Sequence, residues 1–414
     1  MKKSKILLAV FSAFLVLGFT ACDALFGNNN NGASGGGSGE SGNTNVDDEI
    51  KGPLTAEKTL EGKNSEGESI TYYINSNYVI KDGGKLIIED GAIVKFGPSG
   101  KITVNNTGAI TATGTKFTSY RDTEGRAISI SGGVDPAPGD WKQVYIYGGV
   151  GTFTSCKFYY GGNNCSTLDV AKGSGSAGKA KVDGCEFCYN AGTEATKASV
   201  YAALCFSKDT VYNDDNTCVK NCVFKNNVWP LSVPFFFSLD GSNQFGINTE
   251  KNEYNYIHII DADITKEVVW AKQSVPFLYA ASGSGTGVLA IQDGGKLTIK
   301  GSDDAENPAL ICFAQRGIEV AKGGKLSLEG NIKFTNSPVS SATTFDGIYC
   351  ARKIQYKDVG IATVKKVLLT SNPPFVIENY IPTQDTYKEE YKFAEHYRRA
   401  IQAVNEYVDE TVTD

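Results

Sequence analysis

The sequence predicts an all-β chain wound into a parallel β-helix, and three observations lead to that prediction. Apolar residues alternate in short runs, such as Leu86 and Ile88 followed by Val94 and Phe96, which is the period of a strand with one buried face. Glycine and asparagine corners separate the runs after only a few residues, too soon for hairpins of ordinary length. A turn with its flanking strand then recurs, which is typical of coils that bury their apolar face by stacking.

Two short motifs repeat along the chain. The first, Asp82-Gly83-Gly84-Lys85-Leu86, returns at 293–297 and, as Lys-Gly-Gly-Lys-Leu, at 322–326, which is 29 residues later. The second places a phenylalanine two residues after a small residue, and three copies carry a cysteine: Cys156 and Phe158, Cys185 and Phe187, Cys222 and Phe224. An ordinary β-sandwich is the alternative, but sandwiches rarely repeat a turn and strand this closely.

The six cysteine and phenylalanine residues of the second motif are predicted to form a structural ladder. Equivalent inward positions of successive coils stack about 4.8 Å apart, so each residue should lie on its counterpart in the next coil. Buried cysteine behaves as a small apolar group. We therefore expect Cys156, Cys185 and Cys222 to be inert core residues.

The N-terminus is typical of an exported, lipid-anchored protein. Three lysines precede an apolar run from residue 6 to 19 that is too short for a membrane span, and the run ends at Phe19-Thr20-Ala21-Cys22. This ending resembles the bacterial lipobox, with Phe19 where leucine is usual, and implies a signal peptide over residues 1–21 and lipidation of Cys22. A plain signal peptide with an incidental cysteine is the alternative. Residues 22–55 are then predicted to be the lipidated cysteine and a flexible Gly/Asn/Ser tether.

Four motifs follow one another between residues 70 and 230: Asp82-Gly83-Gly84, Lys116-Phe117-Thr118-Ser119, Pro138-Gly139-Asp140-Trp141 and Phe158-Tyr159-Tyr160-Gly161-Gly162. In this order they resemble the right-handed parallel β-helix modules of bacterial surface proteins and lipoproteins. Lys142-Gln143-Val144 replaces the Gly-Gly-Ile of those modules, a departure at one corner. The resemblance implies a right-handed parallel β-helix solenoid at the cell surface, and it implies no reaction.

The repeats divide the chain into parts. Residues 60–265 are predicted to form a first β-helix module and residues 266–380 a second, because the glycine motifs and Lys333-Phe334-Thr335-Asn336-Ser337 repeat the earlier order. The two modules could form one continuous helix or two separate stacks. Residues 381–414 are predicted to be a short C-terminal α-helix and tail, because their apolar residues lie near one helical face.

Two charged loops interrupt the strand pattern, and rigid scaffolds often carry function on such loops. The first contains Asp122, Glu124 and Arg126, and the second contains Asp214 and Asp215. These five residues are the candidate ligand-binding set, with an ordinary solvated loop as the plainer interpretation. The second loop does not match the spacing of a calcium loop, so no metal and no cofactor are predicted.

Ten cysteines are present, and lipidation of one leaves an odd number in a protein outside the cytoplasm. Cys185-x-x-Cys188 resembles a redox or zinc pair, but a chain with only two histidines and no partner pair is not expected to bind zinc. Cys218 with Cys222, and Cys165 with Cys188, could form disulfides. The sequence does not assign them.

The net charge of −6 without a basic stripe argues against nucleic acid as a partner. We expect a monomeric lipoprotein of the bacterial cell envelope, at the outer membrane or cell surface, that displays a β-helical rod. Its expected role is non-enzymatic, in structure, adhesion or the binding of a host or polysaccharide ligand. The alternative is a polysaccharide lyase or glycoside hydrolase, which needs paired carboxylates. Asp169, Asp183 and Asp209 are the nearest acids, and the repeat period does not bring them together.

Overall fold

The computed structural model describes residues 49–128, 135–193, 200–212, 214–279, 289–304, 306–313, 315–320, 324–336, 344–350 and 361–365. These residues belong to one compact unit, Asn45–Asp414. The predicted signal peptide, Cys22, most of the tether and the predicted C-terminal helix lie outside the described residues.

The described residues contain thirty strands and one short 3-10 helix, Asn248–Glu250. The first fifteen strands are β1 (Glu57–Leu60), β2 (Thr71–Ile74), β3 (Asn77–Ile80), β4 (Lys85–Ile88), β5 (Ile93–Phe96), β6 (Lys101–Asn105), β7 (Ala109–Thr113), β8 (Lys116–Ser119), β9 (Val144–Tyr147), β10 (Val150–Thr154), β11 (Lys157–Tyr159), β12 (Leu168–Ala171), β13 (Lys179–Asp183), β14 (Glu186–Cys188) and β15 (Leu204–Phe206). The others are β16 (Cys218–Lys220), β17 (Val223–Lys225), β18 (Leu231–Pro234), β19 (Gln244–Phe245), β20 (Ile257–Ile260), β21 (Glu267–Ala271), β22 (Phe277–Tyr279), β23 (Leu289–Ile291), β24 (Lys296–Lys300), β25 (Ala309–Phe313), β26 (Gln315–Val320), β27 (Lys325–Glu329), β28 (Ile332–Asn336), β29 (Thr344–Cys350) and β30 (Ile361–Lys365).

Successive strands belong to different sheets, so each of the first three sheets takes every third strand up to β18. Sheet 1 has the order β1-β4-β7-β10-β13-β16, sheet 2 has β2-β5-β8-β11-β14-β17-β19, and sheet 3 has β3-β6-β9-β12-β15-β18-β20-β22-β25-β28. Sheet 4 (β21-β24-β27-β30) and sheet 5 (β23-β26-β29) follow later in the chain. All of these neighbours pair in parallel. The prediction of a nearly all-β chain with parallel strands in stacked sheets is confirmed. We call one passage through successive sheets a coil.

Sheet 3 takes strands from both predicted modules. Leu231 of β18 pairs with Ile257 of β20, and Ile257 pairs in turn with Phe277 of β22. Sheet 1 ends at β16, and sheet 4 starts at β21, where Leu239 makes an isolated parallel bridge to Trp270. The ten strands of sheet 3 therefore run through the point at which the other sheets change.

The core contains a stack of phenylalanine rings from consecutive strands of sheet 2. The ring centroids of Phe117, Phe158, Phe187, Phe224 and Phe245 are separated in turn by 4.8, 4.8, 5.0 and 5.3 Å, with nearly parallel planes. The register explains the stack, because Phe158 pairs with Phe117 on one side and Phe187 on the other.

The predicted cysteine positions lie beside this phenylalanine stack. Cys156, Cys185 and Cys222 are buried, and each thiol donates a hydrogen bond to a carbonyl oxygen of the preceding coil, at 3.3 Å to Ala112, 3.4 Å to Phe153 and 3.6 Å to Val182. Weak thiol hydrogen bonds of this kind fit a small, packed core side chain.

The corner between sheets 1 and 2 repeats its backbone geometry. Gly114, Ser155, Gly184 and Asn221 occupy this corner in successive coils with φ values of 54, 53, 64 and 55°. Positive φ is the left-handed region, which glycine and asparagine adopt at little cost. The corner composition noted in the sequence therefore sets where each strand ends.

Residues ahead of β1 lie along the first edge of two sheets. Glu49 forms a parallel bridge to Tyr73 of β2, and Leu54 forms one to Ile80 of β3. The amides of Ile50 and Leu54 donate to the carbonyl oxygens of Tyr73 and Val79, both at 2.8 Å. The edges of β2 and β3 are therefore partly occupied.

Candidate functional site

The first predicted ligand loop folds over the outer face of sheet 2. The Nζ atom of Lys116, on β8, lies 2.7 Å from Oδ2 of Asp122 and 2.5 Å from Oε2 of Glu124. The hydroxyl of Thr118 donates to the same Oδ2 atom of Asp122 at 2.6 Å. Strand alternation explains this contact, because Lys116 and Thr118 flank the inward Phe117 and so face outward.

A buried lysine holds the backbone of that loop. Lys95 is fully buried, and its Nζ atom donates to the carbonyl oxygens of Asp122 at 2.7 Å and Arg126 at 2.8 Å. Burial lowers the pKa of the Lys95 amine, and the Asp122 carboxylate acts in the opposite direction. The Lys95 amine therefore ties the loop to β5 through two carbonyl oxygens.

The Asp122 carboxylate is already fully engaged. Burial acts to raise its pKa, but hydrogen bonds from Lys116 and Thr118 and from the Glu124 amide outweigh burial and hold the pKa below its usual value. Glu124 and Arg126 are exposed, and the Arg126 amide donates to Oγ1 of Thr71 at 3.0 Å. Of the three predicted residues, Asp122 lies inside the loop contact, while the side chains of Glu124 and Arg126 lie at the surface.

The second predicted loop forms a turn between sheets 3 and 1. Oδ1 of Asp214 accepts hydrogen bonds from the amides of Asn216 at 2.8 Å and Thr217 at 3.0 Å. Asp214 and Asp215 are both exposed. Because the first loop lies over sheet 2, the structure does not bring the two predicted loops into one site.

Aromatic and charged side chains line the outer face of sheet 2 and its corner with sheet 3. Lys116 Nζ lies 5.2 Å from the ring centroid of Tyr159. The Nζ atom of Lys225 lies 3.1 Å from Oε1 of Glu186 and 3.3 Å from Oε1 of Glu250. The hydrogen bond that the Lys225 amine donates to Glu186 raises the pKa of that amine. Lys116 and Lys225 are therefore each paired with two carboxylates on this face.

The corner next to this face carries two stacked tyrosines. The rings of Tyr160 and Tyr189 are 5.5 Å apart with planes 6° from parallel, and Tyr159 meets Tyr160 edge to face at 6.1 Å. Tyr189 is 42% exposed. We define Tyr159, Tyr160 and Tyr189 as the tyrosine corner; the sequence did not single it out as a site.

A column of reactive side chains lies on the outer face of sheet 3. The register pairs Asp169 with Cys205, Cys205 with Ser232 and Ser232 with His258. Ser232 Oγ is 2.8 Å from Nδ1 of His258. The sequence shows that each of these four residues lies between two apolar strand residues. It does not show that the four residues are neighbours, because that depends on the length of each coil.

Burial controls the chemistry of this column. It raises the pKa of the Cys205 thiol, and the Asp169 carboxylate acts in the same direction. It lowers the pKa of His258 to about 4 and raises that of Asp169 to about 7. A protonated thiol and a neutral imidazole do not make the ion pair of an activated cysteine. The buried hydrogen bond between Ser232 and His258 is therefore a polar contact between coils, and Asp169, at the other end of the column, is partly buried.

A chain of buried asparagines also crosses the coils at the corner between sheets 2 and 3. The side-chain amide of Asn190 donates to Oδ1 of Asn227 at 2.9 Å, and that of Asn227 donates to Oδ1 of Asn252 at 3.0 Å. All three residues are buried. The repeated spacing of Phe187 to Asn190 and Phe224 to Asn227 was the available signal.

Eight cysteines in the described residues are free thiols. Cys165 is partly buried, and the other seven are buried: Cys156, Cys185, Cys188, Cys205, Cys218, Cys222 and Cys312. The Cys165 thiol donates to the carbonyl oxygen of Asn163 at 3.3 Å. Within the part of the chain that the structure describes, no group of three or more His, Cys, Asp or Glu residues is arranged to hold a metal ion.

Comparison with known proteins gives no relative. No family model, no curated protein and no solved structure matches the chain. In the described ranges, none of the helical segments has the length and apolar character needed to cross a bilayer.

Proposed function

We propose that the protein is a bacterial envelope lipoprotein, anchored through Cys22 at the outer membrane or cell surface, that displays a β-helical rod for binding or adhesion. In this proposal the sheets are the faces of one right-handed parallel β-helix, and the predicted C-terminal α-helix follows its last coil. Parallel strands joined through a crossover are right-handed in about 98% of cases. The strand order, in which the chain returns to each sheet in turn, supports the winding.

The observation that carries the binding role is the way the loop over sheet 2 is held. Lys95 and Lys116 fix Asp122 from beneath, so the loop and the tyrosine corner form a preorganised surface. A rigid surface loses less conformational entropy when it binds an extended ligand. This property suits recognition by a displayed rod.

The enzyme alternative is favoured by one observation, the raised pKa of Asp169. A carboxyl with a pKa of about 7 is suited to donate a proton to a glycosidic oxygen. Its predicted companions lie elsewhere: Asp183 is on β13 of sheet 1, and Asp209 lies in the turn after β15. Because the second carboxyl of such an enzyme must face the same sugar, we place binding ahead of hydrolysis.

Anchoring is tested by labelling cells with a palmitate analogue. The parent chain should be labelled and should enter the detergent phase, whereas Cys22→Ser should lose the label, because the acyl chains hold the protein in the bilayer. Cys165→Ser is the matched control and should be labelled like the parent. Equal labelling of the Cys22 variant would contradict the proposal.

The non-enzymatic role is tested with the detergent-solubilised full-length protein. Incubation with neutral and acidic polysaccharides, with calcium present, should leave their chain length unchanged. Reproducible cleavage that disappears in Asp169→Asn would replace the binding proposal with the enzyme alternative.

A further inference from the structure

The tyrosine corner contains two side chains in an unfavourable backbone conformation. Tyr160 has φ of 63° and Tyr189 has φ of 57°, and Asn226 follows at the same corner of the next coil with φ of 56°. The other non-glycine residues with positive φ in the described ranges are asparagine, aspartate or serine. Bulky residues rarely adopt this region, and such strain is concentrated at functional sites.

The strained conformation places two rings at the surface. The Tyr189 ring stacks on the Tyr160 ring with centroids 5.5 Å apart, and the Tyr189 residue is 42% exposed. On its other side the next coil carries Asn226, whose side chain is much shorter. Tyr189 is therefore backed by a second ring on one side and has the shorter Asn226 beside it on the other.

Carboxylates outnumber amines beside the tyrosine corner. Lys116 is paired with Asp122 and Glu124, and Lys225 is paired with Glu186 and Glu250. This excess of negative charge disfavours an anionic partner. The surface offers an aromatic face surrounded by hydrogen-bonding groups.

We propose that the exposed face of Tyr189, supported by Tyr160, is a binding platform for a sugar ring of an uncharged polysaccharide. One face of a pyranose ring consists of C–H groups, which pack on the negative face of an aromatic ring, while its hydroxyls reach polar neighbours such as Asn226 and Glu186. This inference deepens the binding role proposed above and rests on it.

The test uses substitutions that separate binding from folding. Asparagine adopts positive φ readily, so Tyr189→Asn and Tyr160→Asn should keep or raise the melting temperature while removing the ring. Tyr189→Phe keeps the ring without the hydroxyl. Tyr147→Asn is the matched control, because Tyr147 also stacks on a neighbouring tyrosine, at 5.2 Å from Tyr145, but on sheet 3.

Affinity electrophoresis of the full-length protein in detergent would use gels containing a mixed-linkage glucan, a galactomannan, a xylan or polygalacturonate. We expect the parent protein to be retarded in at least one gel that contains a neutral polysaccharide. Tyr189→Asn should lose at least tenfold in affinity, and Tyr160→Asn should lose less. Tyr189→Phe and Tyr147→Asn should be retarded like the parent. Unchanged retardation of Tyr189→Asn, or retardation by polygalacturonate alone, would overturn the platform. Neither result changes the labelling of Cys22. Failure of the tyrosine platform can therefore be distinguished from failure of the proposal that the protein is a lipid-anchored β-helical rod.

Discussion

The side-chain amide of Asn227 donates a hydrogen bond to the carbonyl oxygen of Phe187 at 3.0 Å, joining two successive coils inside the protein. Its Oδ1 atom accepts a hydrogen bond from the backbone amide of Asn190 at 3.1 Å. The backbone amide of Asn227 donates to Oδ1 of Asn252 at 3.0 Å. One side chain thus satisfies polar groups on both neighbouring coils.

Replacing Asn227 with leucine should be strongly destabilising. The variant removes the side-chain partner of the Asn190 backbone amide and of the Phe187 carbonyl oxygen, at about 1–3 kcal/mol for each unsatisfied group. Urea denaturation should show a loss of about 2–6 kcal/mol in the free energy of unfolding. Asn163→Leu, at an exposed position, should change it by no more than about 0.5 kcal/mol. Equal effects at the two positions would contradict a structural role for the asparagine chain.

Phe187→Ala should cost about 3–5 kcal/mol, because it opens a cavity between Phe158 and Phe224. Cys185→Ala, two residues earlier, removes only a small group and should cost about 1 kcal/mol. Denaturation of both variants measures the difference. Rapid alkylation of Cys156, Cys185 and Cys222 in the native protein would argue against the packing that underlies this expectation.

The ladder residues could be anticipated because Cys-x-Phe repeats in sequence, and the stretch from Phe158 to Phe187 contains no long insertion. The asparagine chain was missed because Gly161 breaks its pattern in the first copy. The Asp169–His258 column was missed for a different reason. Its four residues differ in type, and their alignment depends on loops of unequal length, such as the turn that contains Asp214.

His258 should make stability fall in mild acid. Burial lowers its pKa from 6.5 to about 4, so between these values the unfolded chain binds a proton that the folded chain does not. The contribution is complete above pH 6.5 and is lost as the pH falls toward 4, by up to about 3 kcal/mol. His258→Gln should flatten this part of the profile, measured by denaturation at pH 7, 5.5 and 4. An unchanged slope would show that His258 does not control it.

Asp169 should act in the opposite direction. Burial raises its pKa from 3.8 to about 7, so the folded chain keeps a proton that the unfolded chain releases. Its contribution is complete below pH 3.8 and is lost as the pH rises toward 7. Asp169→Asn mimics the protonated form and should exceed the parent in stability by about 1–3 kcal/mol at pH 8, with little difference near pH 4. A variant less stable than the parent at pH 8 would contradict the assignment.

The bridges made by Glu49 and Leu54 also affect how copies of the molecule meet. An open strand edge is a template for another chain, and charged residues along an edge discourage such addition. Glu49 and its ion-pair partner Lys51, 2.6 Å apart, stand at that edge. Deleting residues 49–54 should expose β2 and β3 and lead two molecules to join head to head, seen as dimers in analytical ultracentrifugation. A few residues ahead of the first strand thereby keep neighbouring molecules from joining their sheets edge to edge.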